Sequence, residues 1–309
     1  MELFQVNILG CGSALPTGRH LPSSLVANVR NKLFMFDCGE GTQLQLRRLH
    51  LSFSRINCIF ISHLHGDHCF GLPGLVATMG LLGRTATLHI YGPQGVDSLL
   101  RPLGESGEGE TLPFNVTVHA VDTKREALIF EDRSVEIWSI PLHHRTPCCG
   151  YVLREKPLLP HIRRDMTDFY GIPVHALRGI KEGGGWTLPD GRHIPHEQLT
   201  SPAESPRSFA YCSDTMYIPE PPASLSGVDL LYHEATFAEA DAARAAATGH
   251  STARQAALVA AAAGAKRLLI GHFSARYDDE KTLTEEARAI FPETIAANEG
   301  LCIDVGNRR

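Results

Sequence analysis

Asn57-Cys58-Ile59-Phe60-Ile61-Ser62-His63-Leu64-His65-Gly66-Asp67-His68 is an apolar, partly β-branched run that breaks into three imidazoles and a carboxylate. Such a run reads as a buried strand. The residues after it, Cys69-Phe70-Gly71-Leu72-Pro73-Gly74-Leu75-Val76, read as a turn into a helix. The polar cluster therefore lies on a loop leaving the end of a buried strand, where open α/β sheets carry their ligand sites. Imidazole nitrogens and carboxylate oxygens are ligands for Zn²⁺ and similar divalent ions. His63 and His65 are two residues apart and can face one ion, while Asp67 and His68, further along the turn, could face a second. A polar loop with ordinary histidines is the bland alternative. Crowding unpaired titratable groups is costly, and a metal supplies the compensation.

Working outward, the same design recurs. Pro141-Leu142-His143-His144-Arg145 ends a strand with two histidines. Ala210-Tyr211-Cys212-Ser213-Asp214-Thr215 ends another in an aspartate, and Leu268-Leu269-Ile270-Gly271-His272 a third in a histidine. An aspartate has two oxygens and can bridge two ions. That suits Asp214 between one ion on His63, His65 and a histidine of the 143–144 pair, and another on Asp67, His68 and His272. A pair of ions about 3.5–4 Å apart holds a bridging water or hydroxide as nucleophile and clamps the charge of a phosphoryl transition state. Asp67, beside that water, could take its proton. Asp37, at a strand end before Cys38-Gly39-Glu40, is a cap or a support for the metal loop. Gly249-His250-Ser251-Thr252 opens an Ala-rich helix. Ser251 or Thr252 can cap it, which leaves His250 either a bystander or an anion contact at the positive helix end.

The rest of the chain supplies the frame. Strands are expected at residues 4–9, 24–30, 33–36, 87–91, 116–121, 127–130, 135–141, 208–212, 230–233 and 267–270, with a short strand at the end of the chain. Helices are expected at 72–82, after Gly95, at 252–263 and near 283–290. Two similar halves imply two sheets face to face with helices outside: an α/β, four-layer αββα sandwich over residues 1–309. The 309 residues are 43% hydrophobic, enough for one large core. A net charge of −5 excludes a uniformly basic nucleic-acid binder, so any such contact must come from a local patch. The eight scattered cysteines and the N-terminal residues read as a reduced, cytoplasmic protein without a signal peptide. No apolar run is long enough to span a membrane.

Residues 156–207 break the pattern, with dense glycine and proline and little periodicity beyond 162–170. A stretch this long inside a domain is usually functional or disordered. Residues 151–210 carry eight Lys and Arg against seven Asp and Glu, and the remainder 21 against 27. The insertion is slightly basic on an acidic body.

Taken together, Phe36-Asp37-Cys38-Gly39-Glu40, the H-x-H-x-D-H stretch, Ser213-Asp214-Thr215, His233-Glu234-Ala235-Thr236-Phe237, His250-Ser251-Thr252 and His272-Phe273-Ser274-Ala275-Arg276-Tyr277 resemble the ribonuclease Z family of the metallo-β-lactamase superfamily, essentially end to end. H-x-H-x-D-H alone gives the superfamily; the H-E-A-T-F, H-S-T and S-x-R-Y stretches give the family. The resemblance assigns His144 as the ligand, from its spacing to Gly150-Tyr151 and the following Arg145, with His143 as the fallback. It implies Asp67 as general base, and His250 as the contact to the scissile phosphate that protonates the leaving oxygen. It makes residues 156–207 a flexible arm that grips the tRNA elbow, with Arg178 and Lys181 as arm contacts. Two departures stand out. The early loop reads Pro16-Thr17-Gly18-Arg19-His20 where the family often has P-x-K-x-R-N, leaving Arg19 as the substrate contact. The arm also lacks the family's Gly-Pro tip.

The expected protein is a homodimeric, two-zinc endoribonuclease. It removes the 3′ trailer of precursor tRNA after the discriminator base and leaves a 3′-hydroxyl. No protein partner can be inferred. The rivals are a small-molecule phosphodiesterase or sulfatase on the same fold, and a catalytically silent RNA-binding protein.

Overall fold

β1 (Phe4–Gly10), β2 (Ser24–Val29), β3 (Lys32–Phe36), β4 (Ile56–Phe60), β5 (Leu88–Gly92) and β6 (Val116–Ala120) form one sheet in a computed structural model that describes residues 2–103 and 112–306. The terminal strand β18 (Cys302–Asp304) completes it in the order β18-β1-β2-β3-β4-β5-β6. The hairpin between β2 and β3 turns on Arg30 and Asn31, both with left-handed φ of 50° and 68°. Two successive left-handed residues match the twist of antiparallel strands, and asparagine tolerates that region. From β3 to β6 the strands run parallel.

A second seven-stranded sheet is built from β7 (Ala127–Glu131), β8 (Val135–Pro141) and β9 (Cys149–Glu155). Four two-residue strands then belong to the insertion: β10 (His161–Ile162), β11 (Trp186–Thr187), β12 (His193–Ile194) and β13 (Thr200–Ser201). The second sheet resumes with β14 (Ser208–Cys212), β15 (Leu230–Glu234), β16 (Leu268–Gly271) and β17 (Thr294–Ala296), in the order β17-β16-β15-β14-β9-β8-β7.

The two sheets meet through aromatic rings. Phe36 of β3 packs 5.4 Å from Phe60, 5.7 Å edge-on from Phe209 and 5.8 Å from Tyr211, while Phe60 lies 5.4 Å from Tyr151. Outside the first sheet, Leu46, Leu72, Leu75, Val76 and Met79 pack with Val26, Met35 and Ile59. Outside the second, the Ala-faced helix Ala253–Ala262 joins the cluster of Leu231 and Leu269. Small side chains let this helix sit close to the sheet. The expected α/β sandwich is the observed one.

Residues 155–206 form a compact unit separate from residues 2–154 and 207–306. Within it Ile180, Ile194 and Leu199 are buried under Ile162, Met166, Tyr170, Ile172, Trp186 and Leu188. Its helices, such as Arg164–Phe169 and Leu177–Lys181, and its two-residue strand pairs are too short to show a period, so the sequence reads as loop where the chain is ordered. β9 is also not apparent from sequence, because Pro147-Cys148-Cys149-Gly150 resembles a turn; it is a nearly fully buried central strand. Among the described residues no helix is long and apolar enough to cross a membrane. All eight cysteines are free thiols.

Candidate metal centre

Five strand ends of the sandwich deliver the polar cluster: those of β3, β4, β8, β14 and β16. Each enters with buried apolar residues and leaves with a titratable one. His63, His65, His144 and Asp214 form one group of converging donor atoms, and Asp67, His68 and His272 a second. In the first, His65 Nδ1 is 3.0 Å from His63 Nε2 and 3.3 Å from His144 Nε2. In the second, His68 Nε2 and His272 Nε2 are 3.2 Å apart, with Asp67 Oδ2 at 3.4 and 3.5 Å from them. Asp214 joins the groups. Its Oδ2 lies 3.4 Å from His63 and 3.7 Å from His144, and its Oδ1 lies 3.3 Å from His68 and 3.1 Å from His272. One carboxylate thus turns one oxygen to each set. His143 is exposed, its N–H given to Thr215 Oγ1, so only His144 of that pair joins the cluster.

The outward-facing ring nitrogens of His68, His144 and His272 are held by protein. Asp37, at the end of β3 with φ 53°, accepts from Ser62 N–H at 2.7 Å, Ser62 Oγ at 2.8 Å, Tyr211 O–H at 2.7 Å and His68 Nδ1 at 2.7 Å. His144 Nδ1 donates to the Gly249 carbonyl at 2.7 Å. His272 Nδ1 donates to Thr236 Oγ1 at 2.8 Å, and Thr236 in turn donates to Glu234. Occupying one ring nitrogen fixes the other toward the cluster, as supported metal-ligating histidines require. Asp67 Oδ2 accepts the backbone N–H of Ala14 at 2.7 Å.

The charges fit a cation. Burial opposes ionisation of Asp67, but bonds to His272 and His68 outweigh it and hold the carboxyl far below its ordinary range. Burial opposes it at Asp214 too, and the rings of His272, His68 and His63 overcome that. Burial, then His63 and His144, push His65 down to about 4, and burial lowers His144 against Asp214 and the Gly249 carbonyl. These are neutral imidazoles with a free lone pair. His68 is raised despite burial by Asp214 and Asp37. Five imidazoles and two ionised carboxylates in two groups are a donor set for divalent ions of borderline softness.

His250 stands beside the cluster, its Nδ1 2.9 Å from Glu234 Oε1 and its ring 5.1 Å from that of His144. Burial works against its charge, but Glu234 and then Asp214 raise it to about 9. Thr252 caps the following helix in a reciprocal box with Gln255, and Ser251 donates to the Thr215 carbonyl. A cleft lined by Ser13, Leu15, Pro16, Glu40, Phe70 and Arg145 opens onto Asp67, Asp214 and His250. Arg19 donates to the Tyr277 carbonyl and pairs with Glu280, with 43% of its side chain exposed. Arg178 pairs with Glu182 on the insertion's surface, and Lys181 closes the same helix. Sequence reasoning missed Glu234, Thr236 and the Ala14 amide as supports. The H-E-A-T-F stretch was the available signal for the first two; a backbone amide leaves none.

Replacing Asp37 by alanine removes the five hydrogen bonds its carboxylate accepts and leaves His68 Nδ1 only the longer contact to Ser213 Oγ at 3.3 Å. Divalent-ion affinity should fall about 10–100-fold, read by competition with a chromogenic chelator. Unchanged affinity would show that His68 is held by packing alone.

Residues 4–158 match the family described as anti-Pycsar protein Apyc1, and residues 199–273 match the beta-lactamase superfamily domain. The ribonuclease Z of Bacteroides fragilis is 56% identical, over 99% of this chain and 100% of its own. This chain belongs to the ribonuclease Z family. The ribonuclease Z of Porphyromonas gingivalis is 54% identical, over 99% of this chain and all of its own. Among solved structures, the short form of human tRNase Z covers 98% of this chain and 100% of its own at 28% identity, with a TM-score of 0.71. The metallo-β-lactamase-fold protein YhfI of Bacillus subtilis, 18% identical with a TM-score of 0.69, shares the fold. The Apyc1 match stops before Asp214 and His272, whereas the ribonuclease Z relatives span the cluster and the insertion alike. The enzyme is a ribonuclease Z, a hydrolase on a fold that uses divalent metal.

Proposed function

We propose that this ribonuclease Z is a two-zinc endoribonuclease that removes the 3′ trailer of precursor tRNA, acting as a homodimer in the cytoplasm. The observation that carries the two-ion reading is Asp214, with one oxygen toward each donor set. His63, His65 and His144 would hold one ion, and Asp67, His68 and His272 the other, with Asp214 between them. A divalent pair so held supplies an activated water and neutralises the charge of a phosphoryl transition state.

The chain's own groups do the rest. Asp67 is oriented by the Ala14 amide, so its carboxylate is placed to accept the proton of the attacking water. Attack breaks the bond between phosphorus and the 3′ oxygen of the discriminator nucleotide. The trailer keeps the phosphate. The leaving 3′ oxygen needs a proton, and His250, charged through Glu234 and facing the cleft, is set to give it. Arg145 on the cleft wall adds positive charge for the backbone phosphates. Arg178 and Lys181 would contact tRNA from the insertion, and Arg19 would use the guanidinium donors left beside its pair with Glu280.

The test is 5′-labelled precursor tRNA carrying a trailer, with wild type against Asp67→Ala. One product ending at the discriminator, absent with the variant, is expected; no cleavage by wild type would sink the reading. His250→Ala should lower kcat by about a hundredfold or more with metal content unchanged. His250 donates only while protonated, so wild-type activity should fall as pH rises through its pKa. Glu234 holds that pKa above the ordinary imidazole value, so the fall lies on the alkaline side. The alkaline fall should vanish in the variant. The rival reading is a small-molecule phosphodiesterase on the same fold. Wild type that hydrolyses a small phosphodiester but leaves precursor tRNA intact would support it.

A further inference from the structure

The loop between β1 and β2 forms one wall of the metal-centre cleft, through Ser13, Ala14, Leu15 and Pro16. Its tip touches the centre. Ala14 is held at a left-handed φ of 63°, with its N–H on Asp67 Oδ2. Left-handed alanine is unfavourable and persists only where the surroundings impose it. The loop's upstream side is tied by Ser13 N–H to the Phe273 carbonyl and Gly12 N–H to the Leu21 carbonyl.

The downstream side is tied by charge. His20 is 8% exposed, with Nδ1 2.9 Å from Glu299 Oε2 and Nε2 2.8 Å from Glu280 Oε1. A ring with a carboxylate on each nitrogen must carry both protons, so this is an imidazolium. Its pKa is raised, first by the bond to Glu299, against burial and with help from Glu280. Arg19 pairs with the same Glu280. Glu299 Oε1 accepts Leu21 N–H at 2.9 Å and Cys11 N–H at 3.3 Å, and the Cys11 thiol lies 3.3 Å from His20 Nδ1. Two cations thus balance two carboxylates brought from residues 280 and 299. The partners are 260 and 279 residues from His20 in the chain.

We propose that His20 is a positioning residue. Clamped between Glu280 and Glu299, it pins the loop whose Ala14 amide orients Asp67, and so sets the rate at a centre it does not touch. The inference rests on the role of Asp67 in the reading above. Cys11, His20 and Glu299 also bring donor atoms close enough together to hold a metal. The clamp is preferred because Glu280 and two backbone amides already satisfy the ring and the carboxylate without an ion.

The test uses the full-length metal-loaded enzyme, His20→Gln, and the charge-balanced pair His20→Gln with Glu280→Gln. Hydrogen exchange at the Ala14 amide should rise about tenfold or more in the single variant, while β4 amides keep their protection. The kcat for precursor tRNA and for a chromogenic phosphodiester should fall together, about ten- to a hundredfold, with KM nearly unchanged. The double variant should recover part of both losses. Unchanged Ala14 exchange, unchanged kcat, or protection lost equally across the core would each overturn the clamp. So would a third equivalent of bound divalent ion that disappears in Cys11→Ser. Exchange and phosphodiester hydrolysis do not depend on tRNA as substrate. Failure of wild type on precursor tRNA therefore strikes the functional reading and leaves the clamp decidable.

Discussion

Asp214→Ala should lose hydrolysis of precursor tRNA and of a small phosphodiester alike, by about 10⁴-fold, the scale of removing one member of a catalytic unit. Bound divalent ion should fall toward zero. Both follow from its position. Its two oxygens approach four of the histidines at 3.1–3.7 Å, and it is buried. Without it, the first donor group keeps only imidazoles and the second keeps Asp67 as its one carboxylate beside His68 and His272. The substitution also removes the group that does most to raise His68 against burial, so a buried ion-pair network of metal-free protein loses its central carboxylate. Thermal stability of metal-free protein should drop as well. Metal content by mass spectrometry separates two versions of the site. Loss of both ions means that Asp214 bridges. Loss of one, with the other retained at full occupancy, would mean that it serves a single set, and the two-ion reading would need another bridging group.

Much of this candidate centre is legible in the chain because His63, Asp214 and His272 each follow an apolar run. The burial of β4, β14 and β16 is local in sequence, so the residue after each run is marked as a strand-end group. The Thr252–Gln255 cap is equally local. What is not legible is long-range. Glu234 accepts the Thr215 N–H only because parallel strands β14 and β15 stand side by side, and it meets His250 from a separate loop. The His20 clamp draws on residues at the far end of the chain, and nothing around Pro16-Thr17-Gly18-Arg19-His20 announces it. The insertion hides for a different reason. Its core is assembled from single apolar residues on very short elements, and neither the 3.6- nor the 2-residue period can develop over so few positions.

Removing the insertion tests its role without destroying the body. The chain leaves the second sheet on β9 and returns on β14, and these strands are antiparallel with Arg154 opposite Ser208. The two ends are neighbours across a ladder, so residues 156–206 can be replaced by a short asparagine-glycine turn. The insertion's apolar cluster is its own, so the deletion removes it whole. The truncated enzyme should keep its metal and its rate on a small phosphodiester. On precursor tRNA, kcat/KM should fall about a hundredfold or more, because energy from remote binding no longer positions the scissile bond. The cations of the insertion give the physical basis. Arg163, Arg178 and Arg192 pair with Asp165, Glu182 and Asp190 at 2.9–3.5 Å on exposed surface. Such pairs are worth little in water, and a polyanion can take the arginine from its carboxylate. The salt dependence of precursor-tRNA binding should therefore flatten in the deletion, by about 0.7–0.9 in log–log slope for each phosphate that is no longer neutralised. Equal loss on both substrates would point to a damaged body. No loss on precursor tRNA would remove the insertion from substrate recognition and leave the body's cleft, with Arg145 and Arg19, to account for it.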